Sequence, residues 1–302
     1  MSGPVARGVD SPHQPTTLYH YTDASGLLGI VESRALWATD FRYLNRGEEL
    51  LYCYQSLLAE LEGYEFPLLA AVRSRLDQIC MARAADPTGG VFVACLSASR
   101  DEAGQWVRHG GDGGGFALRF DVERLAGTSG YAATSEHGVL RMRLRDGPRE
   151  VGYGDEWRDR EVERMAGMLS STNGGPGFDI IDPGLAASLL DDLALIKHAG
   201  FLAEREWRLV VHGVVQTVVR HNSRMIAQSV FATADVELRV TGPGALVPYV
   251  AVGFEPQALV EVIVGPTAMP ELAQASVEKL LRYGGFPHAR VSESQIPYRI
   301  ER

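Results

Sequence analysis

Two glutamates, Glu204 and Glu206, are the residues of this sequence whose type and spacing best suit catalysis. They lie two residues apart, directly before the apolar run WRLVV. Side chains two apart on an extended backbone project to one side, so one sheet edge can present both carboxylates. Such a pair suits a cationic transition state, because fixed negative charge stabilises developing positive charge. The alternative is a solvated pair that Arg205 and Arg208 neutralise.

The segment YHYT, residues 19–22, carries a second set of candidate residues. On a strand, His20 and Thr22 project to one face and the two tyrosines project to the other. This segment and two others, residues 95–121 and 197–211, place more polar groups beside apolar strands than packing requires. A single histidine on a strand is also often structural, so both interpretations of His20 stay open.

Common enzyme signatures do not occur in the sequence. It has no G-x-S-x-G, no G-x-x-x-x-G-K-[ST], no H-E-x-x-H, and no G-x-G-x-x-G between a strand and a helix. The glycine-rich run at 110–115 lacks the lysine and the following helix of a phosphate loop, so it predicts a loop that enters a strand. The cysteines, Cys53, Cys80 and Cys95, have no metal-binding spacing, and we expect no metal.

Apolar periodicity predicts the elements that would position these residues. Alternating or uniformly apolar runs predict strands at 18–22, 91–97, 115–121, 138–144, 206–214, 237–242 and 259–265. Helical spacing predicts helices after Asp23 and at 50–61, 69–80, 185–196 and 269–284, the last with a glycine stop at Gly284.

The order of these elements predicts the fold class. Helices lie early and strands cluster later without regular strand–helix alternation, so we predict an α+β fold of mixed or antiparallel sheets packed with helices. We expect a single domain over residues 18–302, after a flexible tail at 1–17 that is rich in proline and glycine. We interpret the tryptophans near strands as core anchors: Trp37, Trp106 and Trp207.

Composition limits the classes of partner. The formal net charge of −9 argues against a broad nucleic-acid surface, because such surfaces are rich in lysine and arginine. The cluster Arg141, Arg143 and Arg145 leaves a local polyanion site open, although its spacing also describes the solvated face of a strand. No apolar run is long enough for a membrane span, and no signal-peptide pattern begins the chain. We therefore expect a soluble, cytoplasmic protein with no membrane partner.

Six short motifs resemble a large bacterial family catalogued as a domain of unknown function. The family pattern runs Y-x-Y-T, L-W-(A/F)-(T/S), L-N-x-x-E, C-(L/F)-S, D-x-x-x-x-W and E-x-E-W-R. The chain has YHYT at 19–22, LWAT at 36–39, LNRGE at 44–48, CLS at 95–97, DEAGQW at 101–106 and EREW followed by Arg208. The match spans residues 18 to about 283, including a closing strand VIVGP.

The order of these motifs is similar to that of the ADP-ribosyltransferase fold. In that fold an early strand carries His-x-Thr, a middle strand carries an aromatic residue or serine, and a late strand carries glutamate. The resemblance implies that NAD is bound as a consumed substrate. It implies that His20 binds the ribose next to adenine and that Thr22 and nearby backbone hold the nicotinamide end. Tyr19 and Ser97 would complete the NAD site.

The resemblance also assigns the two glutamates. Glu206 would be the catalytic carboxylate, and Glu204 would deprotonate or position the acceptor. A histidine first motif usually accompanies a tyrosine on the middle strand, and an E-x-E ending usually accompanies an arginine first motif. The chain mixes the two types, which leaves the acceptor open.

Three functions are compatible with these residues. The first is a transferase that moves ADP-ribose to an unknown macromolecule or small molecule, which by resemblance would act in phage defence or toxin biology. The second is an NAD glycohydrolase. The third is a noncatalytic module that senses a nucleotide or binds a partner protein. A cysteine hydrolase using Cys95 with His20 or His109 is a further alternative, although no spacing orients a base toward the thiol.

Overall fold

The protein is represented by a computed structural model, which describes residues 15–62, 91–110, 114–126, 132–135, 138–144, 147–171, 189, 191–221, 224–230, 236–241, 245–267 and 269–297. Several predictions fall wholly or partly outside these residues. They are the helix at 69–80, nearly all of the tail at 1–17, the side chains of the arginine cluster at 141–145, the middle of the loop at 110–115 and the first part of the helix at 185–196.

One mixed sheet of thirteen strands organises the described residues, and a separate parallel pair, β8 and β9, lies beside it. Neighbouring strands of the main sheet are antiparallel except for β14 and β15. The strands are β1 Thr17–Thr22, β2 Ala35–Asp40, β3 Val91–Ser97, β4 Phe116–Asp121, β5 Ala132–Ser135, β6 Gly138–Leu144, β7 Arg149–Glu150, β8 Gly152–Tyr153, β9 Ile196–Lys197, β10 Glu206–His221, β11 Arg224–Val230, β12 Glu237–Val240, β13 Leu246–Gly253, β14 Leu259–Val264 and β15 Arg290–Glu293.

Helices cover the main sheet, which confirms the predicted α+β class. They are α1 Ala24–Ser33, α2 Glu48–Leu61, α3 Ala103–His109, α4 Val122–Ala126, α5 Asp155–Ser171 and α6 Pro270–Gly284. Among the residues that the structure describes, no helix has the length and apolar character needed to cross a bilayer.

A fork in the main sheet lies beside β3. β10 pairs with β3 along one whole edge, while on the other edge β2 pairs with the beginning of β3 and β1 with its end. The β1 contact is a single pair, Tyr19 opposite Ser97, and Ser97 also lies opposite Glu206 of β10. Because β1 and β2 separate between their two contacts with β3, a gap opens in the sheet next to Cys95.

The central strands are buried on both faces, as the uniformly apolar run of β3 predicts. One face of β3 packs in a cluster with residues of α1 and α6, and the other face packs in a cluster with residues of α2 and α5. In β10, Leu209 and Val210 belong to opposite clusters. Side chains alternate along a strand, so Glu206 and Arg208 project to the same side as Val210, toward α2 and α5.

The turn from β1 into α1 lies at the open end of the fork. Asp23 caps α1, because its Oδ1 accepts the Gly26 N–H at 2.7 Å. A Cβ on Gly26 or on Gly115 would overlap Thr22, so both positions require glycine for close packing. The strand–helix junction is thereby fixed around Thr22.

The local predictions were incomplete in several places. Ile196 lies in β9 rather than in a helix, because Gly152 and Tyr153 of β8 pair with it and its neighbour. α6 continues through Gly284 and ends at Gly285, which has the left-handed φ of 92°. The sequence also did not predict α5, because its many charged residues leave only a narrow apolar stripe.

Candidate functional site

A cavity of about 380 Å³ opens at the fork. All six residues predicted for the site line it: Tyr19, His20, Thr22, Ser97, Glu204 and Glu206. They come from β1, from the end of β3, and from the beginning of β10 with the residues just before it. The register that pairs Tyr19, Ser97 and Glu206 across three strands explains why such distant residues meet.

Two cations bind the two glutamates in the wall of this cavity, and we call Lys197, Glu204, Glu206 and Arg208 the charge network. Lys197 Nζ donates to Glu204 Oε2 at 2.7 Å and to Glu206 Oε2 at 2.8 Å. Arg208 donates to Glu206 from Nε at 2.8 Å and from Nη2 at 3.0 Å. The four side chains are between 1% and 6% exposed, so the interpretation of a solvated carboxylate pair is wrong.

These charges keep Glu206 ionised. Burial alone would raise the pKa of Glu206, but the charges of Arg208 and Lys197 outweigh it and lower the pKa to about 2. Lys197 also lies over the ring of Phe201, with Nζ 4.9 Å from its centre. Glu206 is therefore a fixed negative charge throughout the physiological pH range.

The local backbone explains how Glu204 reaches the network. Ala199–Glu204 forms a short 3-10 helix, and Arg205 then adopts a left-handed φ of 44°. Ser97 Oγ donates to the Glu204 carbonyl oxygen at 2.7 Å, and Gln105 Nε2 donates to the same oxygen at 3.3 Å. Ser97 Oγ also accepts the Ser99 N–H at 3.0 Å. Ser97 thus positions the segment that carries Glu204.

His20 lies in the gap of the fork as a neutral imidazole. Its Nδ1 is 2.8 Å from the Cys95 carbonyl oxygen, which can only accept, so Nδ1 carries the proton. Burial lowers the pKa of His20 to about 4, and the positive charge of Arg239 contributes to the lowering. At neutral pH Nε2 is therefore a hydrogen-bond acceptor.

The Cys95 thiol does not have the properties of a catalytic nucleophile. Burial raises the pKa of the Cys95 thiol, and the Glu206 carboxylate, to which the thiol is hydrogen-bonded, raises it further. The protonated thiol is a poor nucleophile, and the contact that His20 makes with Cys95 is to its carbonyl oxygen rather than to its thiol. The cysteine hydrolase interpretation with His20 therefore loses its support.

The two tyrosines of β1, which also line the cavity, pack on the face of the strand opposite His20. Tyr19 and Tyr21 pack in a small buried cluster that includes Trp106, and the Tyr21 ring meets the Trp106 ring edge-on at 4.8 Å. Tyr21 also donates its hydroxyl to the Ser99 carbonyl oxygen at 2.8 Å. This packing fixes the direction of β1 and hence the position of His20.

Sequence reasoning did not assign two cations that line the cavity, Lys197 and Arg239. A signal for Lys197 exists, because this lysine directly continues the apolar run LALI, and a lysine that is buried there needs an oppositely charged partner. Trp37 was interpreted as a core anchor, but it is half-buried and lines the cavity, with the Arg239 guanidinium 5.5 Å from its ring centre. Trp106 is fully buried, as predicted.

The arrangement can bind a hydroxyl at His20 and can hold a negative charge at Glu206. Among the residues described by the structure, no group of histidine, cysteine and carboxylate side chains is suited to a metal ion. Comparison with known proteins finds no matching protein family, curated protein or solved structure.

Proposed function

We propose that the protein cleaves the bond between nicotinamide and ribose in NAD and transfers ADP-ribose to an acceptor, on a fold of the ADP-ribosyltransferase type. The observation that supports this proposal is the shared cavity of His20, Ser97 and Glu206, which lie far apart in the sequence. Their order along the chain and their strands agree with the arrangement that the sequence resemblance implies.

The reaction needs a hydrogen-bond acceptor for the ribose and a fixed negative charge, and His20 and Glu206 supply them. A neutral Nε2 of His20 accepts a hydrogen bond from a ribose hydroxyl. The bond between C1′ and the nicotinamide nitrogen breaks, its electron pair leaves with neutral nicotinamide, and C1′ becomes cationic. An ionised carboxylate close to C1′ stabilises that charge, and one preorganised group of this kind contributes about 3 to 4 kcal/mol.

Glu204 has a role at the acceptor in the same proposal. The nucleophile of the acceptor forms a new bond to C1′ and loses a proton, which a nearby carboxylate can take. Besides Lys197, Glu204 contacts Arg108, whose Nε is 3.4 Å from Glu204 Oε1 and whose side chain is 42% exposed. Glu204 therefore connects the buried charge network to the side of the cavity that an acceptor can reach.

The geometry of Glu206 supports a second candidate function, a noncatalytic nucleotide-binding module. The Glu206 carboxylate already accepts from Lys197, from both Arg208 donors and from the Cys95 thiol. A carboxylate has about four acceptor positions. In this function the charge network stabilises the cavity, and the ligand binds without being cleaved.

Nicotinamide release from NAD separates these functions. We expect Glu206→Gln to lower the release rate by about 100-fold or more, because removal of one preorganised charged partner typically has that effect. Release that requires both Glu206 and added cell lysate indicates a transferase, and release without lysate indicates an NAD glycohydrolase.

Glu261→Gln is a matched control for stability. Glu261 is also a buried carboxylate held by two cations, Arg100 and Arg119, but it does not line the cavity. Equal losses of release in both variants would attribute the effect to folding and would contradict a catalytic role of Glu206. An absence of release from the wild-type protein under every condition would favour the nucleotide-binding module.

A further inference from the structure

Arg239 of β12 is a cation on the cavity wall that the proposed cleavage does not use. Its Nη2 donates to Thr39 Oγ1 at 2.6 Å, and its guanidinium faces the ring of Trp37. Its Nε is buried and has no hydrogen-bond partner. No carboxylate among the described residues lies within ion-pair distance of Arg239. The guanidinium is therefore held in place while its charge stays uncompensated at close range.

An uncompensated, partly buried charge has an energetic cost. Burial lowers the pKa of Arg239, although the more distant charge of Asp23 opposes this effect. Proteins usually pair such a charge, because desolvation of an ion is unfavourable without a partner. An anionic ligand in the cavity would supply that partner.

The charge of the whole cavity also favours an anion. Its lining includes three carboxylates, those of Asp23, Glu204 and Glu206, and four cations. The two glutamates pair with Lys197 and Arg208. The charges of Arg239 and of the weakly paired Arg108 can therefore attract an anionic ligand. The chain has a formal net charge of −9, so a cavity with a cationic excess is a local exception.

The position of Arg239 indicates the type of anion. Arg239 is close enough to His20 for its charge to lower the pKa of the imidazole. An anion bound at Arg239 would therefore lie near a hydroxyl bound at His20. In a nucleotide, a ribose hydroxyl and a phosphate have this neighbouring arrangement.

We propose that Arg239 binds the diphosphate of the substrate while His20 binds an adjacent ribose hydroxyl. A planar guanidinium matches two phosphate oxygens with parallel hydrogen bonds, and Trp37 and Thr39 hold its plane in place. The identification of the ligand as NAD rests on the proposed function, whereas the contact with a diphosphate does not.

Calorimetric binding of three probes tests this site: ADP-ribose, inorganic pyrophosphate and adenosine. We expect Arg239→Gln to weaken binding of ADP-ribose and of pyrophosphate by about tenfold or more, since hydrogen bonds to charged groups have that strength. Binding of adenosine, which has no phosphate, should change less than about twofold. Arg239→Lys, which keeps the charge but loses the planar fork, should give an intermediate loss.

Arg290→Gln is the matched control, because it removes the same charge from an exposed arginine that does not line the cavity. Thermal unfolding of each variant establishes that it is folded. Equal weakening of ADP-ribose and adenosine by Arg239→Gln, or equal weakening of ADP-ribose by Arg290→Gln, would overturn the site. Failure of the wild-type protein to bind either phosphate probe would do the same.

The outcomes separate this site from the proposed function. Arg239-dependent pyrophosphate binding without nicotinamide release would support the diphosphate site and count against NAD cleavage. Glu206-dependent nicotinamide release with an unchanged KM for NAD in Arg239→Gln would support NAD cleavage and overturn the diphosphate site.

Discussion

Replacement of Lys197 by methionine tests whether the charge network is an energetic unit of the fold. Lys197 lies between the two glutamates, and its side chain is 4% exposed. Methionine keeps the apolar stem and removes the ammonium group. Glu206 would retain Arg208, whereas the cation left to Glu204 among the described residues would be the half-exposed Arg108 at 3.4 Å.

The expected loss follows from this difference between the two glutamates. Removal of one partner from a buried ion pair typically costs about 3 to 5 kcal/mol, because the remaining charge stays buried without compensation. Glu206 keeps a bidentate partner, so we expect the lower end, about 3 kcal/mol of unfolding free energy. Glu204→Gln alone should cost about 1 to 2 kcal/mol, because Lys197 then still binds Glu206.

Urea unfolding of a double-mutant cycle measures the interaction directly. The wild type, Lys197→Met, Glu204→Gln and the double variant are unfolded under one set of conditions, at neutral pH. Because the two side chains are in contact and solvent screening is small, we expect a coupling energy of about 2 kcal/mol, with the double variant more stable than the sum of single losses implies.

Two results would refute this reasoning. A loss below about 1 kcal/mol in Lys197→Met would show that the lysine charge contributes little, as for exposed ion pairs. A coupling energy near zero would show that Lys197 and Glu204 act independently. Repetition in high salt is the control, because a buried pair is screened much less than a surface pair.

Three further predictions concern stability. Because the pKa of His20 is lowered from 6.5 to about 4, the unfolded chain binds this proton before the folded chain does. The unfolding free energy should therefore fall between pH 6.5 and about 4, by up to about 3 kcal/mol, and His20→Asn should remove that part of the pH dependence in urea titrations. Gly285→Ala should lower the unfolding free energy by about 1 to 2 kcal/mol, because φ is 92° at that position. Gly167→Ala should raise it by up to about 1 kcal/mol, because no atom lies within 4 Å of the added Cβ and alanine favours the helix. Thermal unfolding measures both effects.

The strands that carry the site were predictable because their signals are local. The apolar run of β3 has the predicted bounds of 91–97, and Asp23 caps α1 as its sequence position indicates. The spacing of His20 and Thr22 gave their common side of β1 without any tertiary information, whereas Glu204 lies in a 3-10 helix and reaches Glu206 only through the left-handed turn at Arg205. Resemblance in motif order then grouped these residues into one site.

The ion pairs of the site were not predictable in the same way. Lys197 reaches Glu206 because β9 pairs with β8 and the segment up to Arg205 folds back, and neither event follows from periodicity. Arg239 comes near His20 only through the order β12, β13, β2, β3, β1 in the sheet. Sheet order depends on contacts between distant segments, so a single sequence carries little information on it.

The charge network also limits how Glu206 can act in catalysis. Coulomb energy falls inversely with distance. Two cations that each lie twice as far from C1′ as the carboxylate would therefore together cancel the effect of the carboxylate charge on C1′. Lys197 and Arg208 both contact Glu206, and Lys197 is shared with Glu204. A catalytic Glu206 must therefore lie much closer to C1′ than Lys197 and Arg208 do, so that its own charge dominates at that atom. A nucleotide-binding Glu206 needs no such proximity, which is why the nicotinamide release of Glu206→Gln distinguishes the two functions better than any binding constant.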